Sequence, residues 1–206
     1  MLLYNDILMN RRLTEQQRTQ FLRDNAAQLD SMNSMIQRVL KLARLDAHVV
    51  EYERKPCSMV SLLGEVMEEL QGLAAEGGVS LGLLSQEDFV LDMDRFWMCE
   101  AFQNIVKNCI EHTPKGGSVT VEIVLMPVAY RVIVRDTGEG IEQADLANIF
   151  QRFYHSRGSR KKDSVGIGLS IAKSVVEAHD GFIDAISAKG EGTSFIVNFM
   201  NTEKKT

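Results

Sequence analysis

The run Asn104-Ile105-Val106-Lys107-Asn108-Cys109-Ile110-Glu111-His112 lies inside an apolar helical pattern, yet Glu100, Asn104, Asn108 and Glu111 recur at spacings of four, four and three. Those spacings set the four polar side chains on one stripe of one helix. A polar stripe on an otherwise apolar helix needs a partner, whether a neighbouring hydrogen-bonding group, solvent or a ligand. A single buried asparagine is ordinarily satisfied by its neighbours, so the stripe alone decides little. Two later segments change its weight: Asp136-Thr137-Gly138-Glu139-Gly140 and Gly166-Ile167-Gly168-Leu169 follow it in that order.

Working outward from that helix, Asp94 is placed to cap its start, and Thr113-Pro114-Lys115-Gly116-Gly117 ends it with strong turn chemistry. Val119, Val121, Ile123 and Leu125, then Tyr130, Val132 and Val134, alternate as a β-hairpin with Glu122, Arg131 and Arg135 facing outward. A short helix is expected near 143–149, an apolar helix from Gly168 to about His179, and a closing hairpin from 182–188 and 193–200 across Lys189-Gly190-Glu191-Gly192. Upstream, Ser58 opens a helix to about Glu76 that Gly77-Gly78 stops, and 79–84 and 89–93 are short strand candidates. Strands in hairpins interleaved with helices predict an α+β fold, a two-layer sandwich of a mixed β-sheet covered by helices on one face.

A long N-terminal helix precedes this unit. Thr14 with Gln17 three positions on is a capping-box signature, and Phe21, Leu22, Leu29, Met32, Met35, Ile36, Val39, Leu40, Leu42 and Leu45 keep a stripe of roughly heptad character, preceded by an apolar stub over 1–9. Such a stripe asks for another helix. A charged connector, Glu51 to Pro56, separates the parts, with an extended residue expected before the proline. The predicted organisation is therefore a helical segment over 1–50, a second domain over 51–202 and a disordered charged tail over 203–206.

With 206 residues a sizeable core can form without staples, and Cys57, Cys99 and Cys109 fall into no paired or metal-binding spacing, as for buried thiols in a reducing compartment. A net charge of −5 argues against a general nucleic-acid or anionic-membrane surface. No stretch has the length and apolarity of a membrane span, and the start lacks the signature of a signal peptide. A cytoplasmic location is expected.

Asp136 ends a β-strand and is followed by Gly138 and Gly140, so its carboxylate can project into a pocket that backbone and ligand approach closely. There it can accept from an exocyclic amine such as that of adenine, although an aspartate in an ordinary turn reads the same way. Gly166-Ile167-Gly168 opens a helix, whose N-terminal N–H groups suit an anion. Asn108 offers a hard carbonyl oxygen suited to Mg²⁺ held mostly by phosphates and waters. The cationic run from Arg157 to Lys162 is either a solvated loop or a mobile lid whose cations meet phosphates on closing.

From about residue 57 to 200 the chain resembles the catalytic, ATP-binding domain of sensor histidine kinases, in the superfamily shared by gyrase, the heat-shock chaperone and MutL. Asn104-Ile-Val-Lys-Asn108 is similar to that family's asparagine box, Asp136-Thr-Gly-Glu-Gly140 to its first glycine box, Phe150-Gln-Arg-Phe-Tyr154 to its phenylalanine box and Gly166-Ile-Gly-Leu169 to its second glycine box. The resemblance implies that Asn108 binds Mg²⁺, that Asp136 reads the adenine of ATP and that residues between about 150 and 168 form a lid. The nucleotide site it implies comprises Asn104, Asn108, His112, Lys115, Asp136, Gly138, Gly140, Ile141, Arg152, Tyr154, Arg157, Gly166, Ile167, Gly168 and Leu169, with His112 and Tyr154 where the family stacks aromatic rings.

ATP-hydrolysing members carry a glutamate base one turn before the magnesium asparagine, where this chain has Asn104. That favours a protein-histidine kinase over an ATPase that activates water. Two family cations are replaced, by Glu111 and His155, leaving Arg152, Arg157, Lys161 or Lys115 as substitutes, and Ser164 stands where the second box has its first glycine. Leu40-Lys-Leu-Ala-Arg-Leu-Asp46 resembles the end of the dimerisation and phosphoacceptor hairpin, which makes the segment over 1–50 a partial hairpin, but none of His48, His112, His155 or His179 sits in an acceptor context. The expected activity is transfer of the γ-phosphate of Mg-ATP to a histidine not contained in this chain. The expected partners are a response-regulator receiver domain and a second copy joined through the N-terminal helices. The alternatives are a silent dimerising or regulator-docking module and an ATPase of the same superfamily.

Overall fold

The computed structural model describes residues 14–47, 49–85, 87–154 and 166–201. The apolar stub over 1–9, His48, the run from His155 to Val165 and the tail over 203–206 lie outside the described residues. Two units divide the chain, residues 1–44 and residues 45–206. Helix α1, Glu15–Asp46, supplies the first of them. Its start is set by the reciprocal bonds that the Thr14/Gln17 spacing predicts, Thr14 N–H to Gln17 Oε1 at 3.1 Å and Gln17 N–H to Thr14 Oγ1 at 3.3 Å. Along it Leu22, Leu29, Met32, Met35, Ile36, Val39 and Leu40 remain 39–54% exposed, whereas Leu42 and Leu45 at its end are buried, so among the described residues most of the heptad-like stripe is uncovered.

The second unit runs β1 (Lys55–Ser58), α2 (Met59–Gly77), β2 (Ser80–Leu83), β3 (Val90–Met93), α3 (Arg95–His112), β4 (Ser118–Leu125), β5 (Ala129–Asp136), α4 (Gln143–Leu146), α5 (Gly168–Ala178), β6 (Gly181–Ser187) and β7 (Thr193–Met200). Five strands make one sheet in the order β2-β4-β5-β7-β6, with β2 and β4 parallel and the remaining pairs antiparallel. This is the mixed sheet that the hairpin pattern predicts.

The period-2 alternation decides which face is covered. Val119, Val121 and Ile123 of β4, Val132 and Val134 of β5, and Phe195, Val197 and Phe199 of β7 are buried, whereas Glu122 and Arg135 are exposed. Packed with the covered face are Leu62, Leu63 and Val66 of α2, Phe102, Ile105, Val106 and Cys109 of α3, and Ile171, Val175 and Val176 of α5. Helix α3 touches α2, α5, β4 and β5, which makes it the central element of the helical layer.

Local caps fix the helix ends. The Ser58 side chain accepts from Ser61 N–H, the Asp94 side chain accepts from Trp97 N–H at 3.2 Å, and Gly78 ends α2 with φ 65°. One segment departs from the sequence expectation. Lys55 is extended as the following proline requires, but the chain continues as β1, which pairs antiparallel with β3 in a separate two-stranded sheet. Only Cys57 of its four residues is buried, so no alternation announces it, and Pro56 is tolerated because β1 is an edge. Helix α4 also ends at Leu146 instead of running to Ile149.

The connector ahead of β1 packs into the second unit. The Tyr52 ring meets His179 edge-on at 4.8 Å, Glu53 N–H donates to Asp94 Oδ2 at 2.9 Å, and Arg54 pairs with Asp180 at 2.7 Å. Among the described residues no helix is long and apolar enough to cross a membrane.

Candidate functional site

Helix α3 carries the first set of expected residues. Asn104 Nδ2 donates to the Glu100 carbonyl at 2.8 Å, one turn back along the helix. Its Oδ1 lies against the start of α5, 2.9 Å from where a Cβ on Gly168 would stand. Asn108, one turn further, is half-buried, and among the described residues no hydrogen bond engages its side chain. Its amide oxygen therefore has coordination capacity to spare. No group of three or more His, Cys, Asp or Glu among the described residues could hold a metal ion. A cation here would take most of its ligands from outside the protein, which fits Mg²⁺ carried by phosphates.

Asp136, the last residue of β5, is 4% exposed. Its Oδ1 accepts from Gly138 N–H at 2.7 Å and from Thr193 N–H at 3.1 Å, and the Cys109 thiol of α3 lies beside the carboxylate. Burial pushes the Asp136 carboxyl above its usual range, and these donors and the nearby His112 pull it back. The same burial, with the neighbouring aspartate, raises the Cys109 thiol well above its ordinary value, so it stays a protonated donor. One carboxylate oxygen thus accepts from two backbone amides; with the Cys109 thiol also donating to the group, the carboxylate keeps acceptor capacity for one further donor such as an exocyclic amine.

The glycines around Asp136 are dictated by close approach. A Cβ on Gly138 would fall 2.4 Å from the His112 carbonyl oxygen, and one on Gly140, where φ is 64°, would fall 2.0 Å from that of Ala188. Ile141 N–H donates to Ser187 Oγ at 2.8 Å, which ties the end of this loop to β6. His112, the last residue of α3, has its Nδ1 3.1 Å from Glu139 Oε1, and Glu139 N–H bonds the His112 carbonyl at 3.3 Å.

Gly166, with φ 69°, and Ile167 lead into α5, followed by Gly168 and Leu169 as its first residues. Among the described residues no side chain caps this helix, and Ile167, at its N-cap, is 1% exposed and apolar. As far as the described residues go, the first amides of α5 are open to a ligand or to water. Through Asn104 and His112, α3 joins the Gly166–Leu169 turn and the Asp136–Ile141 loop into one group of motif residues.

Other expected residues are engaged differently. Arg152 forms an ion pair with Asp46. Tyr154 Oη donates to Asp145 Oδ1 at 2.6 Å. Phe150 packs edge-on against Phe195 at 6.3 Å, and Phe153 is 59% exposed with φ 58°. Lys115 is exposed and lays its aliphatic stem over Gly78, whose Cβ would meet Lys115 Cγ at 2.7 Å. Arg157 and Lys161 lie outside the described residues. A groove of about 600 Å³ opens at the opposite end of α3, among Glu51, Glu53, Cys57, Asp94 and Arg95, and no motif residue lines it.

Four contributors escape sequence reasoning: Cys109, Glu139, Thr193 and Gly192. A Cβ on Gly192 would fall 2.1 Å from the Asp136 carbonyl oxygen, so this glycine lets the closing hairpin reach the site. The β5–β7 register, which pairs Arg135 with Ser194, is the signal that would have found Thr193 and Gly192.

Residues 93–203 match the family described as histidine kinase-, DNA gyrase B-, and HSP90-like ATPase. The chain is similar to the sensor histidine kinase CusS of Escherichia coli O157:H7, 29% identical over 194 residues that cover 93% of this chain and 40% of CusS. Among solved structures, full-length ShkA in complex with AMPPNP superposes with a TM-score of 0.77 at 25% identity, over 94% of this chain and 40% of that one. The histidine kinase ThkA in complex with the response regulator protein TrrA shares the fold with a TM-score of 0.75 at 19% identity, over 98% of this chain and 58% of that one. The chain spans less than half the length of the curated relatives it matches.

Proposed function

The chain belongs to the histidine kinase-, DNA gyrase B-, and HSP90-like ATPase family, and on that premise we propose that it is the ATP-binding kinase core of a sensor histidine kinase. It binds Mg-ATP and donates the γ-phosphate to a histidine not contained in this chain. The observation that carries this reading is Asp136, a buried carboxylate with one oxygen saturated by Gly138 and Thr193 amides and set beside the half-buried Asn108 helix.

Each part has a physical task. Asp136 accepts from the adenine amine, Asn108 Oδ1 contributes one ligand to Mg²⁺, and the uncapped start of α5 meets phosphate oxygens. Magnesium, when bound, neutralises phosphate charge. Of the two described candidates for the missing phosphate cation, Lys115 has no ion-pair partner among the described residues whereas Arg152 is committed to Asp46. A kinase is favoured over a hydrolase because Asn104 cannot act as a general base toward water and its amide is held by the Glu100 carbonyl.

Neither described histidine suits an acceptor. His179 has Nδ1 at 2.8 Å from the Val175 carbonyl and Nε2 at 3.0 Å from Asp94 N–H, and His112 is paired with Glu139 inside the nucleotide site. The acceptor histidine is therefore supplied by another helix, and α1, with its open apolar stripe, joins two copies around it. A response-regulator receiver domain is the onward partner, as the ThkA–TrrA complex suggests by analogy. The setting is the cytoplasmic side of a signalling protein.

The test is incubation of the chain with Mg and γ-labelled ATP, with and without a separate histidine-bearing hairpin protein. Label on the hairpin supports the kinase reading. Binding of ATP with no transfer to any acceptor hairpin would favour a silent docking module, and rapid phosphate release without transfer would favour an ATPase.

A further inference from the structure

Glu139 sits in the middle of the Asp136–Gly140 loop, and its position is fixed from several sides. Its N–H bonds the His112 carbonyl at 3.3 Å, and its own carbonyl accepts from Gly190 N–H at 2.8 Å. Gly138 before it and Gly140 after it are each pressed against backbone, at the His112 and Ala188 carbonyls. From this fixed backbone the side chain reaches His112, with Oε1 at 3.1 Å from Nδ1. Both side chains are partly open to the site, at 35% for His112 and 38% for Glu139. His112 also stands near Asp136.

A carboxylate can only accept, so the proton of this hydrogen bond belongs to Nδ1 of the ring. In the neutral ring this is the Nδ1–H tautomer, with Nε2 as the acceptor. We propose that Glu139 is a positioning residue for the nucleotide: it holds His112 in the Nδ1–H tautomer, with its ring plane set beside Asp136, before ATP arrives. Preorganisation of this kind raises affinity by removing the rotamer and tautomer search from the binding step. The proposal rests on the nucleotide reading of the site.

Nitrogen-15 spectra of the histidine rings at pH 8, recorded with titrations of Mg-ATP, test it in the wild type, Glu139→Ala and Glu139→Gln. The wild-type His112 ring should show the Nδ1–H tautomer. In Glu139→Ala it should move toward Nε2–H, with ATP affinity falling about three- to tenfold, the scale of one hydrogen bond. Glu139→Gln, which still offers an acceptor oxygen, should restore both the tautomer and, within about twofold, the affinity. A merely structural role for Glu139 would move the melting temperature but not the tautomer. An unchanged tautomer or unchanged ATP affinity in Glu139→Ala, with the wild type binding ATP, would overturn this proposal alone. A wild-type chain that binds no ATP would overturn the nucleotide reading and this proposal with it.

Discussion

Asn104 and Gly168 meet across the α3–α5 contact: Oδ1 of the asparagine lies 2.9 Å from where a β-carbon on the glycine would stand. The amide that makes this contact is itself tied to the Glu100 carbonyl at 2.8 Å and cannot swing away without breaking that bond. The start of α5 is therefore seated on α3 through a glycine, where a Cβ would have to displace the Asn104 amide.

Gly168→Ala should accordingly destabilise the fold by about 1–3 kcal/mol, the usual range for overpacking, and weaken ATP binding by displacing the α5 amides. Adding Asn104→Ala should recover part of the stability, because the two changes share one contact and couple. Urea unfolding of the two single variants and the double variant checks this. Strict additivity would show that the contact carries no strain.

Two glycines of positive φ separate sterics from backbone preference. Gly190 has φ 83° with nothing near its missing Cβ, whereas Gly140 has φ 64° with the Ala188 carbonyl oxygen 2.0 Å from that position. Gly190→Ala should cost about 1–2 kcal/mol, the left-handed penalty alone. Gly140→Ala adds a clash with backbone that cannot rotate out of the way, and should cost about 3 kcal/mol or more. Equal melting temperatures for the two variants would contradict this ordering.

His179 predicts a pH dependence. Neutral, it donates from Nδ1 to the Val175 carbonyl and accepts at Nε2 from Asp94 N–H, and burial pushes its pKa below the ordinary 6.5. The unfolded chain thus binds a proton more readily than the folded one. Its contribution to stability is complete above about pH 6.5 and is lost as pH falls from there toward the lowered folded value. Unfolding free energies between pH 5 and pH 8 should fall on the acid side, and the slope in this window should be shallower in His179→Leu. An identical slope in both would remove His179 as the cause.

The exposed stripe of α1 predicts self-association. Sedimentation should show a dimer that dissociates at low concentration, and a double change of Leu29 and Ile36 to Glu should leave a monomer with the catalytic unit still folded. A strict monomer at high concentration would remove the prediction.

The legible parts of the fold were those whose causes are local. Ser58, Asp94 and the Thr14–Gln17 box cap helices within one turn, and the hairpins show their buried face by alternation. Asp136 could be singled out because its glycines stand beside it in sequence. Its other supports could not be read, because Thr193 lies 57 positions away and reaches it only through the β5–β7 register. Arg152 carried the charge expected of a phosphate contact, but its pairing with Asp46 is set 106 positions away. Strand β1 was hidden because its ladder to β3, and not its own side chains, makes it a strand.

The most direct measurement is calorimetric titration of Mg-ATP into the wild type and Asp136→Asn. Asparagine can still accept from Gly138 and Thr193 N–H, so the loop should hold and the melting temperature should change little. Its amide N–H₂ would then face the adenine amine, donor against donor, and affinity should fall at least about tenfold, as expected when a buried polar contact is left unpaired. Micromolar binding by the wild type and that loss in the variant are the predicted result. Equal affinities, or no binding by the folded wild-type chain, would contradict the assignment of Asp136 as the residue that reads the nucleotide.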